Sequence, residues 1–149
     1  MKSVKTLIKS NSLEETHRIA IEFSKGLRSG DIVIFNGDLG VGKTEFVKAI
    51  CSHWQVEQTI SSPSFSIINQ YETSYCAGIR TIFHIDLYRI KNHKELIDIG
   101  FQELLYTSEA IFFIEWSENS FGIIDKFTHK ITIDINPENE TSRTIEFEN

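Results

Sequence analysis

Residues 37 to 44 read Gly-Asp-Leu-Gly-Val-Gly-Lys-Thr, a complete G-x-x-x-x-G-K-[ST] spacing. Gly37, Gly40 and Gly42 let the backbone take dihedrals closed to residues with a Cβ, so successive N–H groups can turn inward around a phosphate. Lys43 supplies a flexible ammonium for the outer phosphates, and the Thr44 hydroxyl is of the right type and place to ligate Mg²⁺. The chemistry these residues predict is the binding of a nucleoside triphosphate with magnesium. Further along, Asp86 closes the run Thr81-Ile82-Phe83-His84-Ile85-Asp86, and Glu115 closes Ala110-Ile111-Phe112-Phe113-Ile114-Glu115. An acid at either place could hold a metal ion through water or orient an attacking water. It could equally cap a helix or face solvent.

Those residues need particular elements beneath them. The run Asp31 to Asn36, apolar from Ile32 to Phe35, reads as a parallel strand covered on both sides. Glu45 to Ile50 reads as a helix whose buried stripe is Phe46, Val47, Ile50, Cys51 and Trp54. The loop therefore falls on a strand–loop–helix corner, and the helix beginning near Lys43 adds its positive dipole end to the phosphate site. In open α/β sheets the ligand lies beyond the carboxyl ends of the strands, where Asp86 and Glu115 are expected. The strand ending in Glu115 is the more completely apolar and so the more central, which favours Glu115 as the metal partner.

The rest of the chain follows an αβ order. Ser12-Leu13-Glu14-Glu15 is a capping box ahead of a helix with Ile19, Ala20, Phe23 and Leu27 on one face and stops at Gly26 and Gly30. Ser61-Ser62-Pro63-Ser64 breaks the pattern. Phe65 to Tyr71 reads as extended and pairs as a hairpin with Arg80 to Leu87 through a turn at Thr73 to Gly78. Asn92 to Ile99 reads as a helix ending at Gly100, with a second short helix over Gln102 to Tyr106. Ile131, Ile133 and Ile135, then Ile145 and Phe147 across Pro137 to Glu140, make an antiparallel ending. No repeat or linker divides the 149 residues, and the expectation is a single α/β domain, residues 1–149, with a mixed sheet flanked by helices.

Composition narrows the function classes. Apolar residues make up 40% and charged residues 24% of the chain, ordinary values for a globular protein. The longest apolar stretches are about five residues, such as Ala110 to Ile114, so neither a membrane span nor a secretory signal is expected. Cys51 and Cys76 lack metal-like spacing and suit a reducing, cytoplasmic setting. A net charge of −6 gives little attraction to a nucleic-acid backbone, so unaided tight RNA binding is not expected. Of the remaining chemistry-bearing residues, His84 inside a strand suits a packed core histidine better than a catalyst. Trp116 could stack on a base or fill a rim. Ser62 and Ser64 flank a proline on a loop that could approach the outermost phosphate, although polar loop residues are commonly just solvated.

Four blocks in order carry a resemblance: Gly37 to Thr44, Ser62-Pro63-Ser64-Phe65, His84-Ile85-Asp86-Leu87-Tyr88-Arg89 and Ile114-Glu115-Trp116-Ser117-Glu118. Together with Glu15-Thr16 they resemble the bacterial TsaE family, small ATPases of tRNA threonylcarbamoyladenosine biosynthesis, over roughly residues 12 to 118. The loop alone is shared by many families, whereas the Asp-Leu-Tyr-Arg and Glu-Trp blocks are far more specific. The resemblance implies a P-loop α/β domain with a mixed sheet, in a cytoplasmic ATP-binding protein with weak, Mg²⁺-dependent ATPase activity. It also implies two protein partners, a threonylcarbamoyl transferase subunit and its paralogous companion, with tRNA contacted indirectly and no membrane. The nucleotide-binding set it implies is Thr16, Gly37, Asp38, Leu39, Gly40, Val41, Gly42, Lys43, Thr44, Glu45, Ser64 and Trp116. In that picture Thr44 and Glu115 hold Mg²⁺, Asp86 supports metal or water, and Lys43, Asp86 and Glu115 form the catalytic group. Ser64, in place of the commoner Thr, lies on a switch loop sensing the γ-phosphate, and Thr16 lines the adenine. Glu45 stands where many members carry a second hydroxyl, which removes that hydroxyl's help with the α-phosphate. The tail after Pro137 carries no family signature and is assigned no role.

Two other classes share the loop. A small-molecule kinase would need an acceptor pocket and an Arg-bearing lid, yet only Arg18, Arg28, Arg80, Arg89 and Arg143 are available and no lid-length insertion occurs. A regulatory GTPase would need a guanine-reading Asn-Lys-x-Asp element, which the chain lacks. A nucleotide-sensing module whose hydrolysis is incidental overlaps with the family role.

Overall fold

Strands β2 (Ile32–Asn36) and β5 (Ala110–Glu115) lie side by side and parallel in the middle of a seven-stranded sheet. The computed structural model describes residues 2–76 and 78–149. The other strands are β1 (Lys5–Ser10), β3 (Ile68–Glu72), β4 (Thr81–Asp86), β6 (His129–Asn136) and β7 (Asn139–Glu148). Their order across the sheet is β1-β7-β6-β2-β5-β4-β3, with β6, β2, β5 and β4 mutually parallel and β1, β7 and β3 added antiparallel. The mixed sheet and the β3–β4 hairpin are as expected. The turn expected over Thr73 to Gly78 includes Ala77, which lies outside the described residues.

Helices α1 (Leu13–Ser24) and α2 (Lys43–His53) cover one face. There Ala20, Phe46, Val47 and Ile50 pack on Val33, Phe35, Ile82, Ile111 and Phe113. The short helices α3 (His93–Asp98) and α4 (Phe101–Leu104) cover the opposite face, where Leu96 and Phe101 meet Ile34, Phe83, Ile85, Phe112 and Ile114. Alternation along a strand sorts residues between the two cores. Continued to the strand ends, it puts His84, Asp86 and Glu115 on the α1/α2 face with Ile82, Ile111 and Phe113. On that face Phe35 touches both Phe46 and Phe113 at ring-centroid distances of 5.6 and 6.0 Å.

Several expectations need correction. The capping box is only half reciprocal: Ser12 Oγ accepts from Glu15 N, but Glu15 Oε2 accepts from Asn11 N instead of the Ser12 amide. Phe65 to Ile67 is not strand. Ile67 adopts φ 66° and its N–H donates to Pro63 O at 2.7 Å, closing a turn, so β3 starts only at Ile68. The second short helix begins at Phe101, one residue before the expected start, because Gly100 at φ 69° can sit at its N-cap. The antiparallel ending exists, but β7 is an interior strand, because β1 pairs with it from Lys5↔Glu148 to Ser10↔Arg143. Nothing in the sequence marks β1, because Lys5 to Lys9 are all exposed and no buried alternation runs through them.

Candidate functional site

The loop between β2 and α2 is shaped by its glycines. Gly37 has φ 146°, and a Cβ there would lie 2.6 Å from Ile133 O and 2.8 Å from Val41 Cγ2, so no other residue fits. Gly42, at φ 114°, is the N-cap of α2, whose first ladder bond runs from Phe46 N to Gly42 O. The first-turn N–H groups of α2 have no partner within the helix, and such a helix start favours an anion. Lys43 opens the helix, and its side chain turns back over the loop to donate to Gly37 O at 2.6 Å. Thr44, half-buried, is next in the same turn.

The strand-end acids meet at this corner. Asp86 and Glu115 are direct register partners across β4 and β5. Glu115 Oε1 lies 3.5 Å from Lys43 Nζ, with both side chains 6% exposed. Its other oxygen, Oε2, lies 3.0 Å from Nε2 of His84, which is fully buried. Asp86 Oδ1 accepts from Tyr88 N at 2.9 Å, closing the bend after β4. Burial raises the Asp86 pKa above the ordinary carboxylate value and the Glu115 charge adds to the rise; the Tyr88 N–H, Lys43 and His84 oppose it. Two carboxylates against one ammonium leave an excess of negative charge in a desolvated place, an arrangement a divalent cation would neutralise.

Trp116, in left-handed conformation at φ 58°, turns the chain away after Glu115. Its ring lies 5.2 Å from Lys43 Nζ and 4.9 Å from the Tyr88 ring, and its buried Nε1 has no hydrogen-bond partner among the described residues. An open cavity of about 730 Å³ begins here, bounded by Gly37, Asp38, Lys43, Trp116, Asp125 and Lys130. Asp38, Leu39 and Gly40 form the exposed tip of the loop, and Val41 is buried beneath it.

The remaining sequence candidates are less tightly gathered. Thr16 is buried, with its hydroxyl 2.7 Å from Ser10 Oγ. Its neighbour His17 reaches Glu45 Oε2 at 3.3 Å, which ties the start of α1 to the residue after Thr44. Glu45 also pairs with Lys48 at 3.5 Å. Ser64 lies half-buried in the turn before β3 and makes no hydrogen bond to the loop or the acids among the described residues. That turn is nonetheless anchored to the site, because Asp86 N donates to Ile67 O at 2.8 Å. Phe65 is exposed, with the Arg89 guanidinium 4.4 Å over its ring.

Sequence reasoning missed two contributors. His84 is a core residue, as its place inside a strand suggests, but its edge is polar and touches Glu115; the signal is its place two residues before Asp86 on the same face. Arg143, from the tail given no role, donates from Nε to Val41 O at 2.8 Å and from Nη1 to Glu140 O. Only the sheet pairing brings it there, and nothing local in the sequence could have shown it.

The residues present suit a magnesium–nucleotide. The loop leaves room at Gly37 for nothing larger than hydrogen, and a lysine and a helix start face the same point as two carboxylates. Among the described residues no three His, Cys, Asp or Glu side chains form a metal cage. Mg²⁺ is ordinarily bound by one or two carboxylates together with substrate phosphates, so such a cage is not needed.

Comparison with known proteins identifies the family. The model of the family described as "Threonylcarbamoyl adenosine biosynthesis protein TsaE" matches residues 10–145. The chain belongs to the TsaE family. Among curated TsaE proteins, that of Rickettsia felis is 43% identical over 109 residues, which is 72% of this chain and 60% of the relative. That of Treponema pallidum is 31% identical over 124 residues, 83% of this chain and 87% of the relative. The chain thus spans about 60% of the length of the Rickettsia felis relative. The crystal structure of YdiB from Bacillus subtilis has the same fold, with a TM-score of 0.72 at 23% identity over 99% of this chain and 87% of that one. The TsaE match takes in the loop, both acids, Trp116 and Arg143, and leaves most of β1 outside. No helix among the described residues is long and apolar enough to cross a membrane.

Proposed function

We propose that this chain is a cytoplasmic ATP-binding protein with slow, Mg²⁺-dependent ATPase activity, acting in tRNA threonylcarbamoyladenosine biosynthesis. It would do so beside a threonylcarbamoyl transferase subunit and that subunit's paralogous companion, which modify the adenosine next to the anticodon. The observation that carries the reading is the convergence of Lys43, at the start of α2, with Glu115 and Asp86 at the carboxyl ends of neighbouring parallel strands. Membership in the TsaE family supplies the pathway.

In this reading the Gly37–Gly42 backbone and the first turn of α2 bind the phosphates through N–H groups. Lys43 exchanges its contact with Gly37 O for a phosphate oxygen and neutralises charge there. Thr44 and Glu115 would hold Mg²⁺, with Asp86 supporting the metal or a water; the ion, when bound, polarises the terminal phosphoryl group. Trp116 and Tyr88 wall the site beside Lys43 and limit water there. Ser64, on the turn hydrogen-bonded to Asp86, would sense the γ-phosphate, and the contact between His17 and Glu45 supports Thr16 and its neighbours as the adenine side. Partner docking gated by ATP suits a small acidic protein with a slow site, and tRNA would be reached through the partners.

The cavity beside Lys43 also resembles what a small-molecule kinase would use for its acceptor, although no arginine lines it. The test is ATP turnover by the purified chain with the transferase pair, for wild type and Lys43→Ala. Turnover is expected to fall at least about a hundredfold in the variant. Unchanged turnover would remove the loop from the mechanism, and ADP release that requires an added metabolite instead of the partners would favour the kinase.

A further inference from the structure

We infer that His84 is a positioning residue: its Nε2–H holds Oε2 of Glu115, so that Oε1 is presented to Lys43 and to the metal–phosphate end of the site. The inference rests on the magnesium reading above and deepens it. A carboxylate accepts only, so the 3.0 Å contact requires the proton on Nε2. The other nitrogen, Nδ1, is buried and has no partner among the described residues. A ring kept only for packing would be better replaced by phenylalanine, which leaves no polar atom unsatisfied. The polar edge is retained where it meets Glu115.

The ring cannot easily move. His84 is fully buried and stands in register between Asn69 of β3 and Phe113 of β5. Glu115 is thus gripped from two sides, by a ring donor fixed in the sheet and by the flexible ammonium of Lys43 at 3.5 Å. When Lys43 turns to a phosphate, the His84 contact is what keeps the carboxylate from rotating. Donors that orient a metal-binding group typically carry about 10- to 100-fold in metal affinity.

The test is calorimetric titration of ATP, with and without Mg²⁺, into wild type, Glu115→Gln, His84→Phe and His84→Gln. Wild type is expected to bind more tightly with Mg²⁺, and Glu115→Gln to lose most of that gain. His84→Phe should lose about tenfold of the gain while its metal-free affinity stays within about twofold, because it leaves the loop intact. His84→Gln, whose side-chain amide can donate from nearly the same place, should recover most of it. A purely structural role would shift both affinities together and would not be rescued by glutamine. Full retention of the magnesium gain in His84→Phe, with loss in Glu115→Gln, overturns the inference and leaves the magnesium reading standing. No magnesium gain in wild type overturns both. Should the phenylalanine variant not fold, the ¹⁵N-histidine spectrum of wild type decides: an Nε2–H tautomer supports the assignment, and an Nδ1–H tautomer sinks it.

Discussion

Strands β4 and β5 change character between their middles and their ends. Ile82, Phe83, Ile111, Phe112 and Phe113 are buried among apolar side chains on both faces. One to three residues further on, His84, Asp86 and Glu115 are buried nearly as deeply yet carry polar or ionised groups. The apolar stretch stabilises the fold by burial. The polar ends draw on that stability, because they hold like charges side by side in a desolvated corner. The contrast teaches that this corner is arranged for something that arrives, and that the sheet's middle is what makes the arrangement tolerable.

The largest effect of a substitution is expected in the middle of the sheet. Phe113 is fully buried against Phe35 in the aromatic layer under α2, so Phe113→Ala should destabilise the fold by about 3–5 kcal/mol. Urea unfolding monitored by circular dichroism measures this. A loss under about 1 kcal/mol would mean that the middle is not where stability resides.

At the polar end the sign should reverse. The Asp86 pKa is raised by burial and by Glu115, so the folded chain holds that proton more tightly than the unfolded chain does. Stability from this group is therefore greatest below the unfolded value, about 3.9, and falls as pH rises through the higher folded value. Above that folded value the ionised Asp86 carries a net cost. Asp86→Asn should then raise the melting temperature by about 2 °C at pH 7.5, with the gain shrinking toward pH 4. Asparagine keeps the Oδ1 acceptor for Tyr88 N, so the bend survives. A lower melting temperature in the variant at neutral pH, measured by scanning calorimetry without nucleotide, would show that the acid is structurally supportive.

The same division explains what could be read from the sequence. The loop, both acids, the buried stripe of α2 and the apolar middles of β2 and β5 depend on local spacing, and periodicity or motif geometry placed them. So did the resemblance, since its four blocks are short and contiguous. β1 was illegible because an edge strand exposed on both faces has no alternation. The turn at Phe65 to Ile67 was illegible because Ile67 takes a left-handed conformation that its side chain disfavours, held by the bond to Pro63 O. Arg143 meets the loop only through the pairing of β7 with β6 and of β6 with β2, which brings it to Val41, 102 positions away in the chain.

Arg143 extends the comparison to a third region, the C-terminal edge of the sheet, which has neither the apolar weight of the middle nor the charge excess of the site. Its Nε–H donates to Val41 O, and its other N–H groups reach the carbonyls of Glu140 and Ser142. Val41 is the buried member of the loop, and its side chain also stands 2.8 Å from where a Cβ at Gly37 would lie. Fixing this carbonyl therefore fixes the curve that the phosphate must fit. One hydrogen bond from a charged donor contributes about 1.5–3 kcal/mol at most, and less where the loop relaxes. Arg143→Ala should accordingly weaken ATP binding by only about three- to tenfold, with unfolding by urea little changed. Arg143→Lys should recover little of it, because a single ammonium cannot serve three separated carbonyls at once. Calorimetric ATP titration of the two variants checks this. Wild-type affinity in Arg143→Ala would place the whole control of the loop in Gly37 and Lys43, and the edge would return to being scaffold.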